Sequence, residues 1–162
     1  MKRILILLFL NVFMILGNSE ELFAGQCGTG QASAFLYPIQ NWYPGCNDFL
    51  GTCNNGQMHL GVDGGNSTVS DQVGQPVYAP CSGVVKDASK HDGYGGTVIL
   101  ECYTGDECVS VLLGHMFTGD TTVNGIAYRG LQVSNNQSVT ISQRIGTLAD
   151  SNNNGGWPPH SH

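Results

Sequence analysis

The chain reads as a mainly β protein with an antiparallel sheet core in a single domain, and three observations carry that reading. Charged residues make up only 11% of the 162 residues while glycines number 23, a balance that suits short strands joined by turns better than long solvated helices. Stretches rich in β-branched and aliphatic residues alternate with segments of strong turn chemistry. The length is enough for one domain and short for two. A formal net charge of -6 leaves no basic patch, so no nucleic-acid partner is expected and attraction to an anionic lipid surface is weakened.

Residues 1–24 stand apart from the rest. Lys2 and Arg3 precede an apolar run from Ile4 to Leu16 broken only by Asn11, the pattern of a secretory signal peptide. The run is shorter than the roughly 20 residues that a membrane-spanning helix needs, so no stable membrane insertion is expected once the leader is removed. Cleavage is expected after Ser19 or Ala24, with an uncleaved N-terminal anchor as the alternative. Gln26, directly before Cys27, argues against a lipoprotein. The expected location is secreted or periplasmic. All six cysteines (Cys27, Cys46, Cys53, Cys81, Cys102, Cys108) follow the apolar run, an even number that predicts disulfides in an oxidising compartment. Local spacing favours Cys46 with Cys53 and Cys102 with Cys108, leaving Cys27 for Cys81. No C-x-x-C pair occurs, which argues against a thiolate zinc site.

Residues 25–56 form an N-terminal segment, and the irregular, Gly-, Asn- and aromatic-containing texture runs on to residue 58 with no helical period. The β domain is placed at 57–162. Gln75 to Val85 reads as two short strands around a Pro80 to Gly83 turn. Thr97 to Cys102 and Cys108 to Leu113 read as a hairpin whose loop is Y-T-G-D-E. Ser138 to Leu148 predicts one or two more strands with Gly146 at a turn, and Ser151 to Gly156 (S-N-N-N-G-G) predicts a polar loop. No internal repeat or second domain is present in the pattern.

Chemistry is concentrated in five histidines: His59, His91, His115, His160 and His162. His59 and Asp63 are four apart in H-L-G-V-D, which places both side chains on one face of a strand or of a helix. Gly61, Gly64 and Gly65 argue against the helix. His160 and His162 are two apart and share a face on extended backbone, with Pro158 and Pro159 opposing a helix that includes them. Two imidazoles and one carboxylate make a three-ligand set with an open fourth position, the arrangement of catalytic zinc. His115 and His160 then remain for proton handling and oxyanion stabilisation.

Five motifs in order resemble one family, the lysostaphin/LytM-type zinc endopeptidases that cut peptidoglycan cross-links. They are H-L-G-V-D at 59–63, G-Q-P-V-Y-A-P-C-S-G-V-V at 74–85, G-Y-G-G-T-V-I-L at 93–100, L-G-H-M at 113–116 and P-H-S-H at 159–162. The resemblance covers roughly residues 57–162. It implies one Zn²⁺ per chain held by His59, Asp63 and His162, with His115 and His160 as catalytic histidines. It also implies the duplicated hybrid-motif fold with a narrow groove, and a substrate that is peptidoglycan or a Gly-rich peptide. His91 matches no motif and reads as an ordinary surface histidine.

Three departures qualify the expectation. Leu113 stands where the family has a tyrosine two residues before the middle histidine. Ser161 replaces an aliphatic residue between the last two. The family continues into a hydrophobic strand after its last histidine, so a C-terminal strand is expected beyond His162, and His162 itself is expected to lie on a fraying end. The alternative function is a non-catalytic LytM-like domain that binds cell wall or activates an amidase.

Overall fold

Residues 32–45, 49–51, 58–105 and 107–162 are described by a computed structural model, and among them ten short strands and no helix carry the fold. The leader and the cysteines Cys27, Cys46 and Cys53 lie outside the described residues. No helix among those described is long and apolar enough to cross a membrane. The class is therefore mainly β, with every strand pair antiparallel.

The centre is a four-stranded sheet ordered β6–β5–β4–β9, built from β4 (Gly83–His91), β5 (Gly95–Tyr103), β6 (Cys108–Met116) and β9 (Ser138–Val139). In β5 the side chains of Val98, Leu100 and Cys102 are fully buried while Ile99, Glu101 and Tyr103 between them are only partly so, the period of two that a sheet with one core face requires. A second pair, β3 (Pro76–Tyr78) with β10 (Arg144–Thr147), closes the core from the other side. Val77, Val85, Val98, Leu100, Ile145 and Leu148 meet there with no measurable exposure. Burying one such side chain contributes about 1.5–3 kcal/mol, so this cluster is the main source of stability.

Gly146 does not sit at a turn as the sequence suggested. It lies inside β10, where the Met116 thioether packs directly over its Cα and leaves no room for a side chain. The opening segment is not wholly irregular either. Trp42–Pro44 forms β1, which pairs with β2 (Gly64–Asn66), and the Trp42 indole lies over Gly64 and stacks on Tyr37 at 4.8 Å. A further hairpin joins β7 (Thr121–Val123) to β8 (Ile126–Tyr128) through Asn124 and Gly125. Their φ angles of 50° and 79° are those of the tight Asn-Gly turn that matches strand twist.

The disulfide expectation is corrected at two pairings, Cys102 with Cys108 and Cys27 with Cys81. Cys102 bonds to Cys81, not to Cys108. The hairpin was placed correctly, but its register puts Cys108 opposite Tyr103, the neighbour of Cys102. Adjacent residues of a strand face opposite sides of the sheet, so Cys102 points into the core and Cys108 to the outer face, where no bridge between them can close. Cys81 and Cys102 are both completely buried. Cys108 is itself disulfide-bonded.

Candidate metal centre

Three segments far apart in sequence meet at one end of the central sheet: 59–63 leading into β2, the end of β6, and 159–162. Backbone bonds hold the last of these in place. Ser161 exchanges both bonds with Gly64, at 2.9 and 2.7 Å, and the His162 carbonyl accepts the N–H of Gly114 at 3.0 Å. The segment is thus extended between β2 and β6, and alternation sends Ser161 inward and the two histidines into the site. His162 is tied down by these bonds instead of fraying. Ser161 is fully buried, and its Oγ has no hydrogen-bond partner among the described residues, which explains why an aliphatic side chain would suit this position.

Alternation also operates in 59–63, although no regular strand forms there. Leu60 and Val62 are exposed at 67% and 43%, while His59 and Asp63 turn inward. Gly61 lies between them, directly beneath the His162 imidazole, where a Cβ would overlap the ring. The glycine of H-x-G-x-D is therefore a steric requirement. Gly61→Ala is expected to displace the His162 ring and weaken metal binding by roughly 10–100-fold, the usual cost of disturbing a ligand's support, while the thermal midpoint of the metal-free protein changes little. Isothermal titration with zinc measures it.

The ligand atoms form a small triangle. His59 Nε2 is 3.1 Å from Asp63 Oδ1, His162 Nδ1 is 3.1 Å from the same oxygen, and the two nitrogens are 3.1 Å apart. His160 Nε2 approaches that oxygen too, at 3.2 Å. Tetrahedral ligands bound at about 2.0–2.2 Å lie roughly 3.3–3.6 Å from one another, a few tenths wider than the edges seen. The donor chemistry fits a cation as well. Three imidazole nitrogens converge on one carboxylate oxygen and two of them face each other. Protons alone cannot satisfy both: nitrogens that each donate to the oxygen point hydrogens at one another. A divalent ion within the triangle satisfies all three ligands at once. Asp63 is held ionised for this role. Burial alone would raise its pKa, but hydrogen bonds from His160 and His162 and the charges of His160 and His59 hold it well below the usual carboxylate range.

His115 owes its direction to a defect in the sheet. Gly96 pairs with Met116 and Val98 with Leu113, so Gly114 and His115 together face the single residue Thr97. That is a β-bulge, and His115 takes the left-handed φ of 64° within it. Its N–H bonds the Tyr94 carbonyl at 2.7 Å and its carbonyl accepts from Ala149 at 2.9 Å, which fixes the unusual backbone. The ring is buried, packs 4.4 Å from that of His160 and donates Nδ1–H to the Asn154 carbonyl at 2.7 Å. Burial pushes its pKa down to about 4, helped by the neighbouring His160 charge and opposed by the Asn154 carbonyl. In His160 burial again acts downward, but the Asp63 carboxylate and the Pro158 carbonyl prevail and raise it.

All five residues singled out for the site are thus brought together, in two overlapping groups: His59, Asp63, His162 and His115, His160, His162. His91 lies outside them, at the end of β4, and bonds Asp87 at 2.6 Å. One residue went unassigned. Tyr94 lies at 5.8 Å from the His115 ring, stacked on it, and edge-on to His162 at 5.3 Å, so it walls the site. The Gly-Tyr-Gly-Gly stretch marked its position, and only the fold shows what the ring touches. No family model matches the chain and no curated protein matches it, so the functional reading stands on this geometry and on the motifs.

Proposed function

We infer that the protein is a secreted zinc-dependent metalloendopeptidase of the lysostaphin/LytM type, hydrolysing peptide bonds in peptidoglycan cross-links. The observation that carries the reading is the ligand triangle of His59, Asp63 and His162 with two non-ligand imidazoles beside it. A purely structural zinc site closes all four positions with protein ligands and has no use for further bases. A non-catalytic wall-binding domain has no need of a buried neutral histidine next to a cation site. The disulfide between Cys81 and Cys102 agrees with an oxidising, extracytoplasmic setting.

His59, Asp63 and His162 would hold the zinc, which would supply Lewis acidity to an attacking water and to the scissile carbonyl. The chain supplies the rest. Because His115 donates through Nδ1, its Nε2 presents a lone pair and accepts the proton of the water. His160 holds its Nδ1 proton on Pro158 and its Nε2 carries a second proton that stabilises the developing oxyanion, while His115 passes the proton taken from the water to the leaving amine. Tyr94 covers the imidazoles on one side and excludes bulk solvent from them.

The test uses zinc-loaded protein against purified peptidoglycan sacculi and against an oligoglycine peptide, scoring new amino termini. Release with one substrate or both, stopped by a chelator and restored by zinc, is the expected result, and which substrate is cut decides between a glycine bridge and another cross-link. Protein that binds one zinc per chain yet leaves both intact is the non-catalytic domain.

A further inference from the structure

The two non-ligand histidines share an orienting device. His115 Nδ1–H donates to the Asn154 carbonyl at 2.7 Å and His160 Nδ1–H donates to the Pro158 carbonyl at 2.5 Å. A carbonyl only accepts, so each ring keeps a proton on Nδ1 and leaves Nε2 for chemistry. Both carbonyls belong to the loop between Ala149 and His160, and that loop is built around the Asn154 side chain. Asn154 is polar and completely buried. Its Oδ1 accepts the N–H of Gly156 at 3.1 Å and of Trp157 at 3.0 Å, while Nδ2 donates to the Trp157 carbonyl at 2.8 Å. Its own N–H goes to the Asp150 carbonyl at 3.0 Å. Trp157 Nε1 then bonds the Gly93 carbonyl at 3.0 Å, which ties the loop to the turn carrying Tyr94.

The geometry points to Asn154 as the positioning residue that fixes the Nδ1 proton and ring orientation of both catalytic histidines, His115 through its own carbonyl and His160 through the clamped 154–158 backbone. It touches neither metal nor substrate. The side chain must accept twice at one atom and donate from a second atom on a single short stem, which the asparagine amide does without charge and a serine hydroxyl, with one oxygen, does not. Ala removes all three bonds and frees the peptide planes that aim the two carbonyls. Asp keeps the two acceptor bonds but turns a bare oxygen on the Trp157 carbonyl.

The inference rests on the peptidase reading only for its kinetic arm. Long-range proton–nitrogen spectra of the zinc-loaded wild type read the tautomers without any substrate. Both His115 and His160 are expected to carry a proton on Nδ1, and Asn154→Ala is expected to lose that assignment for at least His115. In the kinetic arm, Asn154→Ala lowers kcat about 10–100-fold, the range of lost second-layer support, with KM within about threefold and one zinc still bound. Wild-type His115 protonated on Nε2 in place of Nδ1 overturns the inference even if the variant fails to fold, and so does an Asn154→Ala protein that keeps both Nδ1 protons and wild-type kcat. If the wild type cuts no peptide, the peptidase reading falls and the spectra alone decide the role of Asn154.

Discussion

Asp63→Ala is expected to lose zinc and all peptide hydrolysis while the sheet stays folded. Among the described residues the Asp63 carboxylate is the one side-chain anion at the centre, and three imidazole nitrogens lie within 3.2 Å of its Oδ1. With it gone, only the His59 and His162 imidazoles of the ligand triangle remain, too few to hold the ion. Structural zinc in a four-ligand site is worth about 10–16 kcal/mol, roughly 2.5–4 per ligand, so removal of one weakens binding by about two to three orders of magnitude. Folding does not depend on the carboxylate in the same way. The Asp63 backbone is held by Gly45, whose N–H bonds its carbonyl at 2.7 Å, and by the pairing of β2 that follows. A metal that binds only the folded state adds about 2.7 kcal/mol at a hundredfold excess over Kd, which for a domain of this size is a midpoint shift of roughly 10 °C. The wild type should show that shift with zinc and lose it with chelator. Asp63→Ala should show neither. A variant that retains one zinc per chain at an affinity within about tenfold of wild type would exclude Asp63 as a ligand.

Much of the sheet was legible because its physics is local. The hairpin of β5 and β6 follows from two aliphatic runs flanking Y-T-G-D-E, and the period of two in burial was written into V-I-L-E-C. The disulfide was misread for a reason equally physical. Proximity along the chain suggested Cys102 with Cys108, yet parity of register decides which face a cysteine takes, and the strand ends were unknown by one residue. The β7–β8 turn, by contrast, was open to reading: Val123-Asn124-Gly125-Ile126 carries the strongest short hairpin signal there is. Short β1 and β2 could not be read, since G-G-N has no strand propensity. What makes β2 a strand is its pairing with Trp42–Pro44 on one side and Ser161 on the other.

At the site, which residues converge was legible and their orientation was not. Spacings of four in H-L-G-V-D and two in H-S-H survive on any extended backbone, so they name residues that share a face. What they share that face with is a tertiary fact. The sequence gives no hint that Gly61 lies under the His162 ring, nor that Asn154, one of three consecutive asparagines in a loop that looked merely polar, is the buried one. The bulge at Gly114 and His115 is likewise invisible in L-G-H-M. It arises because β6 must pair with β5 on one edge while Met116 bridges Leu148 and Ala149 bonds the His115 carbonyl on the other.

That bulge makes His115 the residue whose loss should separate binding from chemistry. His115→Asn is expected to lower kcat by about 10²–10⁴-fold, the span of a positioned general base, with KM nearly unchanged and one zinc per chain retained. Asparagine is the better replacement because the position sits at φ 64°, where Asn is tolerated and Ala adds roughly 1–2 kcal/mol of backbone strain. The reasoning runs through the ring. Nδ1–H is committed to Asn154, burial keeps the imidazole neutral well below pH 7, and the Nε2 lone pair is the group left to take a proton. An asparagine amide has no comparable basicity, so proton transfer falls to water while His59, Asp63 and His162 keep the ion. A loss of zinc in His115→Asn would instead place His115 among the ligands, in the group it forms with His160 and His162. Retention of both zinc and wild-type kcat would move the proton acceptor to His160, whose Nε2 lies 3.2 Å from the Asp63 oxygen, and His160→Asn would then carry the large kinetic effect.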